Sequence, residues 1–223
     1  MKLYAGGCSF TAGVHPQTIK HDGKSWCNYL GFNEVLNDAW PGNSNTAICR
    51  RALEFLAAGE VADFFAIQLT GGDRREILMP IEARSAIFGN EADAVHTQDG
   101  TYNINIWSIE KWFPKIKDFY MNHMRGSKIY DDAMSIMHIL ALQNVLEKRG
   151  IPYVFFNGLA IFECHKGNKG ESDPYRFGSL LEDTRYFMPH TSMKQYYNLD
   201  NEHPSELQLM DWGTMLAEYI AKA

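Results

Sequence analysis

Two short, uninterrupted apolar runs, Phe64-Phe65-Ala66-Ile67 and Tyr153-Val154-Phe155-Phe156, constrain this chain more than any other feature. Neither alternates polar with apolar, so neither suits a strand with one wet face. Continuous runs of this length are what a parallel sheet covered on both sides requires. The second run follows Ile151-Pro152, and Pro152 suits only the beginning of a strand. Segments of helical period stand around the runs. Asn43-Ser44-Asn45 opens one in which Ile48, Ala52, Leu53, Phe55 and Leu56 recur before Gly59 closes it. Tyr130 to Arg149 forms another, with Ile129, Ala133, Ile136, Met137, Leu140 and Val145 in one stripe and Lys148, Arg149 and Gly150 as a cationic and glycine stop. Ser205-x-x-Gln208 has the form of a capping box before a last helix carrying Leu207, Met210, Leu216 and Ile220. At the other end, Lys2 to Ala5 reads as a short strand running into the turn Gly6-Gly7-Cys8-Ser9. Strands alternating with helices predict an α/β fold, a three-layer α/β/α sandwich with a mostly parallel sheet, whose ligands bind beyond the carboxyl ends of the strands.

With 223 residues, 45% of them apolar, the chain has material for one substantial core, and a single domain over residues 1–223 is expected. Two stretches break the alternation and read as insertions or lids: 78–125, which carries Tyr102, Trp107, Trp112, Phe113 and Tyr120, and 157–199, which carries the polar Lys166-Gly167-Asn168-Lys169-Gly170. The aromatic cluster suits either a substrate wall or ordinary core. Lys and Arg total 21 against 27 Asp and Glu, a formal charge of −6, opposite to the basic footprint that nucleic acid requires. No window approaches the ~20 consecutive apolar residues of a membrane helix, and Lys2-Leu3-Tyr4-Ala5 lacks the apolar run of a signal peptide. The expectation is a cytoplasmic protein with neither nucleic acid nor membrane as partner. Cys8, Cys27, Cys49 and Cys164 show no C-x-x-C spacing, so reduced thiols are expected. Cys164-His165 with distant His190 lacks a recognisable ligand spacing, and neither a metal nor another cofactor is expected.

Chemistry concentrates at the two ends. Catalysis by a hydroxyl needs a base within hydrogen-bond reach and a third group to orient that base. In Asp200-Asn201-Glu202-His203-Pro204, a carboxylate stands three residues before an imidazole in the loop ahead of the last helix. There His203 can extend to a nucleophile while Asp200 holds its other nitrogen. Alone, any Asp-x-x-His also fits a surface turn. Cys8 and Ser9 are rival nucleophiles; adjacent side chains after a strand point apart, so one of them faces the cleft.

Taken together, three motifs in this order resemble the SGNH/GDSL hydrolases. Gly7-Cys8-Ser9-Phe10 after the first strand resembles the family's first block, Pro41-Gly42-Asn43-Ser44-Asn45 its second, and Asp200 to His203 its fifth. The resemblance implies the flavodoxin-like sandwich of that family, Ser9 as nucleophile with His203 and Asp200 completing a triad, and an oxyanion hole lined from the Gly42 segment. It also implies a serine esterase that hydrolyses or transfers a small acyl group, such as a carbohydrate O-acetyl group, through an acyl-enzyme.

The sequence departs from the family at two places. The aspartate of the Gly-Asp-Ser turn is Cys8. The third block, where the family has Gly-x-Asn-Asp, reads Leu69-Thr70-Gly71-Gly72-Asp73-Arg74-Arg75-Glu76, without an asparagine. A divergent, phage-like branch of small SGNH proteins shows a Thr, an Arg and a Glu at this spacing, and Thr70, Arg74 and Glu76 resemble it. Thr70 or Arg74 would then stabilise the oxyanion or bind an anionic part of the substrate, where a preorganised donor is worth roughly 3 kcal/mol. The plain alternative makes Arg74 and Glu76 an exposed ion pair of little worth. Asn45 likewise either lines the hole or caps its helix. A catalytically silent binding or structural protein, such as a viral accessory or carbohydrate-recognition module, is the competing reading of the whole chain.

Overall fold

A computed structural model of the chain describes residues 1–13, 24–72, 74–78, 101–104, 128–160, 180–181, 183–200 and 203–222. In chain order these form β1 (Lys2–Gly6), α1 (Ser9–Ala12), β2 (Glu34–Asn37), α2 (Asn45–Ala57), β3 (Phe64–Leu69), β4 (Arg75–Leu78), β5 (Thr101–Ile104), α3 (Lys128–Lys148), β6 (Tyr153–Asn157), β7 (Tyr186–Ser192), α4 (Met193–Tyr196) and α5 (Glu206–Lys222). A 3-10 turn at Trp26–Tyr29 precedes β2. Five strands make one sheet in the order β2-β1-β3-β6-β7, with every neighbouring pair parallel. Strands β4 and β5 pair antiparallel in a separate ribbon. The chain steps outward from β1 to β2 and then back across β1 to β3. That reversal opens a crevice at the carboxyl ends of β1 and β3.

The continuous apolar runs are explained by what covers the sheet. Along a strand, successive side chains point to opposite faces. Tyr4, Phe65, Ile67, Tyr153 and Phe155 pack with Ile48, Ala52 and Leu56 of α2 and with Ile136, Ile139, Leu142 and Leu146 of α3. Leu3, Ala5, Phe64, Ala66, Val154 and Phe156 pack with Trp26 and with Leu209, Trp212 and Leu216 of α5. Helices therefore close both faces, and the fold is the expected α/β sandwich. Each fully buried Leu or Phe contributes about 1.5–3 kcal/mol relative to exposure, so the two layers carry most of the stabilisation.

Helix positions came through better than helix faces. On α3 the buried apolar positions are Ala133, Ile136, Ile139, Leu142 and Leu146, whereas Met137 is exposed and Leu140 and Val145 are half-buried. On α5, Leu207 and Met210 face solvent, and Leu209, Trp212 and Leu216 take the core. Both helices offer apolar residues all round, so the sequence admits more than one stripe. Packing against the sheet selects among them. The capping box forms as expected: the Gln208 amide donates to Ser205 Oγ (3.3 Å) and the Ser205 amide to Gln208 Oε1 (2.8 Å).

Strand β2 was not apparent in the sequence. Strand β7 lies inside the 157–199 stretch and is the outer strand of the main sheet beside β6, with a register irregularity opposite Phe156 and Asn157. Tyr102 belongs to β5; Trp107, Trp112, Phe113 and Tyr120 lie outside the described residues, as does Cys164-His165. No described helix is long and apolar enough to cross a membrane.

Candidate active site

The turn after β1 is built around a polar residue inside an apolar strand. Gln68 is the one polar side chain of β3 and is wholly buried, so its amide needs internal partners. Its Oε1 accepts from Thr11 Oγ1 (2.7 Å) and from the Cys8 amide (3.4 Å). Its Nε2 donates to Cys8 Sγ (3.1 Å) and to the Leu69 carbonyl (3.1 Å). Thr11 Oγ1 in turn accepts from Trp26 Nε1 (3.0 Å). Gly7 is required here, because a Cβ at that position would overlap the Thr11 hydroxyl and crowd Gln68 Oε1. Sequence reasoning missed this hub; its signal is a lone glutamine in the middle of a run that must be buried.

The same hub sets the two candidate nucleophiles apart in their surroundings. Cys8 is 0% exposed, its sulfur turned onto Gln68 and into the apolar layer under α5. Ser9 retains 9% exposure and opens α1. Its amide lies in the first turn of a helix, where backbone N–H groups have no partner within the helix. The other buried thiols are poor nucleophiles, since burial pushes Cys27 up to about 11 and Cys49 up to about 12.

The second wall is the 40–45 segment. The Trp40 amide (3.2 Å) and Asn43 Nδ2 (3.1 Å) both donate to the Gly7 carbonyl, so the segment is tied to the turn that carries Ser9. Gly42 stands in it at φ +84°, with no atom within 4 Å of where a side chain would begin. The left-handed backbone favours glycine there. Ser44, not Asn45, caps α2, accepting from the Ala47 amide (3.1 Å). Asn45 is buried and clamps the end of β3: its Nδ2 donates to the Thr70 carbonyl (3.0 Å), and its Oδ1 accepts from the Thr70 amide (2.8 Å). Asn45 thus holds two walls of the crevice together. Thr70 Oγ1 is buried with no hydrogen-bond partner among the described residues, a cost of about 1–3 kcal/mol.

Arg74 and Glu76 part company. Arg74 is half-buried and its Nη1 donates to the Asn43 carbonyl (3.3 Å), which places it against the second wall. Glu76 is not its partner. Arg50 grips Glu76 through Nε (3.1 Å to each oxygen) and Nη2 (2.6 Å), and the Glu76 side chain is only 8% exposed. The pair joins α2 to β4 and is structural, which removes the simple surface-pair reading.

The third wall descends from β6 and β7. The Lys194 amide donates to the Gly158 carbonyl (2.9 Å) and the Leu199 amide to the Lys194 carbonyl (2.9 Å), folding the chain after β7 over the carboxyl edge of the sheet. Asp200 is exposed there. Asn201 and Glu202 are outside the described residues. His203 is half-buried, with Nδ1 buried, and its ring meets Phe10 edge-on at 5.3 Å and 72°. Phe10 is the residue after Ser9. Two positions nearly two hundred residues apart in sequence are therefore brought to one corner of the crevice. No group of described His, Cys, Asp or Glu residues is arranged to hold a metal ion.

Several solved structures match the chain, among them three that align with almost its whole length. One is a protein from Desulfitobacterium hafniense assigned to the lipolytic G-D-S-L family (14% identity, 98% of each chain, TM-score 0.46). Another is the acetyl xylan esterase AlAXEase (12% identity, 100% of this chain and 98% of that one, TM-score 0.44). The third is a family 2 carbohydrate esterase with a carbohydrate-binding domain from Corynascus thermopiles (Myceliophthora fergusii) (12% identity, 99% of this chain and 65% of that one, TM-score 0.43). No family model and no curated protein sequence matches.

Proposed function

We propose that this chain is a serine ester hydrolase acting on a small acyl ester, with Ser9 as nucleophile and His203 as base. The observation that carries the reading is the His203 ring seated edge-on against Phe10, beside a serine that is buried but for a small exposed fraction, while the neighbouring thiol is fully enclosed and bonded to Gln68. In this reading Ser9 Oγ attacks the ester carbonyl as His203 Nε2 takes its proton. The oxyanion is met by the amides of Ser9 and Gly42. Collapse expels the alcohol, which receives the proton from His203 and leaves an acyl group on Ser9. Water then attacks that acyl group, losing its proton to His203, and as the acid departs His203 returns a proton to Ser9 Oγ, restoring the free hydroxyl and the neutral imidazole. Asp200, exposed three residues before His203, is the carboxylate assigned to orient the imidazole. A small acyl group suits a serine that is so largely buried. Among alcohols, the motif resemblance favours a carbohydrate, so an O-acetyl sugar is the substrate form we favour, with transfer to another hydroxyl open to the same acyl-enzyme.

The test is hydrolysis of a short-chain aryl acetate by wild type, Ser9→Ala and Cys8→Ser proteins. Wild type and Cys8→Ser should turn over, and Ser9→Ala should lose activity by at least about a thousandfold while keeping its fold, since one hydroxyl contributes little stability. Equal rates in wild type and Ser9→Ala would remove the nucleophile assignment.

A further inference from the structure

We propose that the crevice takes an ester that also bears a carboxylate, bound by Arg74 beside the amino end of α2. The proposal rests on the ester-hydrolase reading and names its substrate class. Arg74 follows β3 at the carboxyl edge of the sheet, and its Nη1 donates to the carbonyl of Asn43. Asn43 is itself bonded to Gly7, two residues before Ser9, so the guanidinium belongs to the same corner as the nucleophile turn.

Among the described residues no ion pair involves Arg74, although the buried carboxylate of Asp132 lies against Gly72, two residues before it. Arg50 is held by Glu54 and Glu76, and Arg51 by Asp38. Arg74 forms no ion pair with a described carboxylate, and one neutral carbonyl engages only one of its five N–H donors. Two features of the same corner add to it. Helix α2 starts at Asn45 with no acidic residue in its first turn, so the positive end of its dipole is met by no side-chain charge of its own. Thr70 Oγ1, fully buried without a hydrogen-bond partner among the described residues, sits on the backbone segment that Asn45 clamps to that helix end. A planar guanidinium offers parallel N–H bonds that match a carboxylate, which an ammonium does not. In a chain of net charge −6, a half-buried cation kept off the available carboxylates has an anion-binding role as its simplest use.

The test separates binding from turnover. Calorimetric titration of the Ser9→Ala protein with 4-acetoxybenzoate and with its neutral isostere 4-acetoxybenzamide should give a Kd lower for the carboxylate by about tenfold or more. The Ser9→Ala/Arg74→Gln protein should bind both alike. Ser9→Ala/Lys148→Gln, which removes an exposed cation from the far end of α3, should retain the preference. Equal affinity for the two esters, no binding of the carboxylate in the millimolar range, or a preference that survives Arg74→Gln each overturns the proposal. Turnover by wild type is read alongside. Equal kcat/KM on both esters leaves the hydrolase reading standing and defeats this one, whereas carboxylate-selective binding without turnover does the reverse.

Discussion

Replacing Gln68 with leucine probes how the nucleophile turn is held. The change nearly conserves volume but removes every polar tie that Gln68 makes. The Leu69 carbonyl keeps a partner, because the Gly158 amide also donates to it at 2.8 Å. The Thr11 hydroxyl, wholly buried, loses the acceptor it reaches at 2.7 Å, and the Cys8 amide loses a longer contact at 3.4 Å. Buried donors left unsatisfied cost about 1–3 kcal/mol each, and no longer burying the glutamine amide returns part of this. A net loss of about 2–4 kcal/mol follows. In a domain of this size each kcal/mol moves Tm by roughly 2–4 °C, so the midpoint should fall by roughly 5–15 °C. With the turn loosened, kcat on an aryl acetate should drop about tenfold or more with a smaller change in KM. Thr11→Val disrupts the same chain of bonds from its other end and leaves Trp26 Nε1 without its acceptor. The double variant should therefore lose about 1 kcal/mol less than the sum of the single variants. Urea denaturation measures all three. Wild-type stability in Gln68→Leu, or strict additivity with Thr11→Val, would refute the claim that this network holds the turn.

The general-base role predicts that kcat/KM rises with pH over roughly 6 to 7, as an imidazole loses its proton, and that Asp200→Asn lowers kcat far more than it raises KM; a flat profile in an active enzyme contradicts the assignment. His138 gives a stability prediction: burial lowers its pKa, opposed by the nearby charge of Glu76. The unfolded chain then binds more protons than the folded one as pH falls through the ordinary histidine range, so stability declines there and is fully present above it. Replacing His138 with glutamine should flatten that part of the Tm–pH curve, and an unchanged slope between about pH 7 and 5 would show that His138 does not contribute.

The sequence disclosed the fold wherever burial forces a pattern. Strands β3 and β6 lie between two helical layers and must be apolar on both faces, so their runs stand out. Strands β2 and β7 are the sheet's edges, and their sequences reflect it. Glu34-Val35-Leu36-Asn37 is short and only half-buried, and Tyr186–Ser192 contains Pro189 and His190, which an edge position tolerates. The two residues proposed for catalysis, Ser9 and His203, stand out in the sequence because each sits in a local motif. What joins them was not. The ties of Gln68 to Cys8 and Thr11, of Asn43 to Gly7 and of Asn45 to Thr70 are hydrogen bonds of side-chain amides to residues distant in sequence. Residue type alone does not fix such partners. Asn45 illustrates the point, since beside a helix start it reads as a cap, yet the cap is Ser44 and the asparagine bridges to the next strand.

The central claim is that Ser9 is an activated nucleophile, and a fluorophosphonate probe tests it most directly. After incubation near neutral pH, digestion and mass spectrometry should locate a single phosphonyl adduct on Ser9. Labelling should fall sharply in His203→Ala and disappear in Ser9→Ala. An unlabelled Ser9 in folded protein, or an adduct that persists on another residue when Ser9 is replaced, would contradict the account.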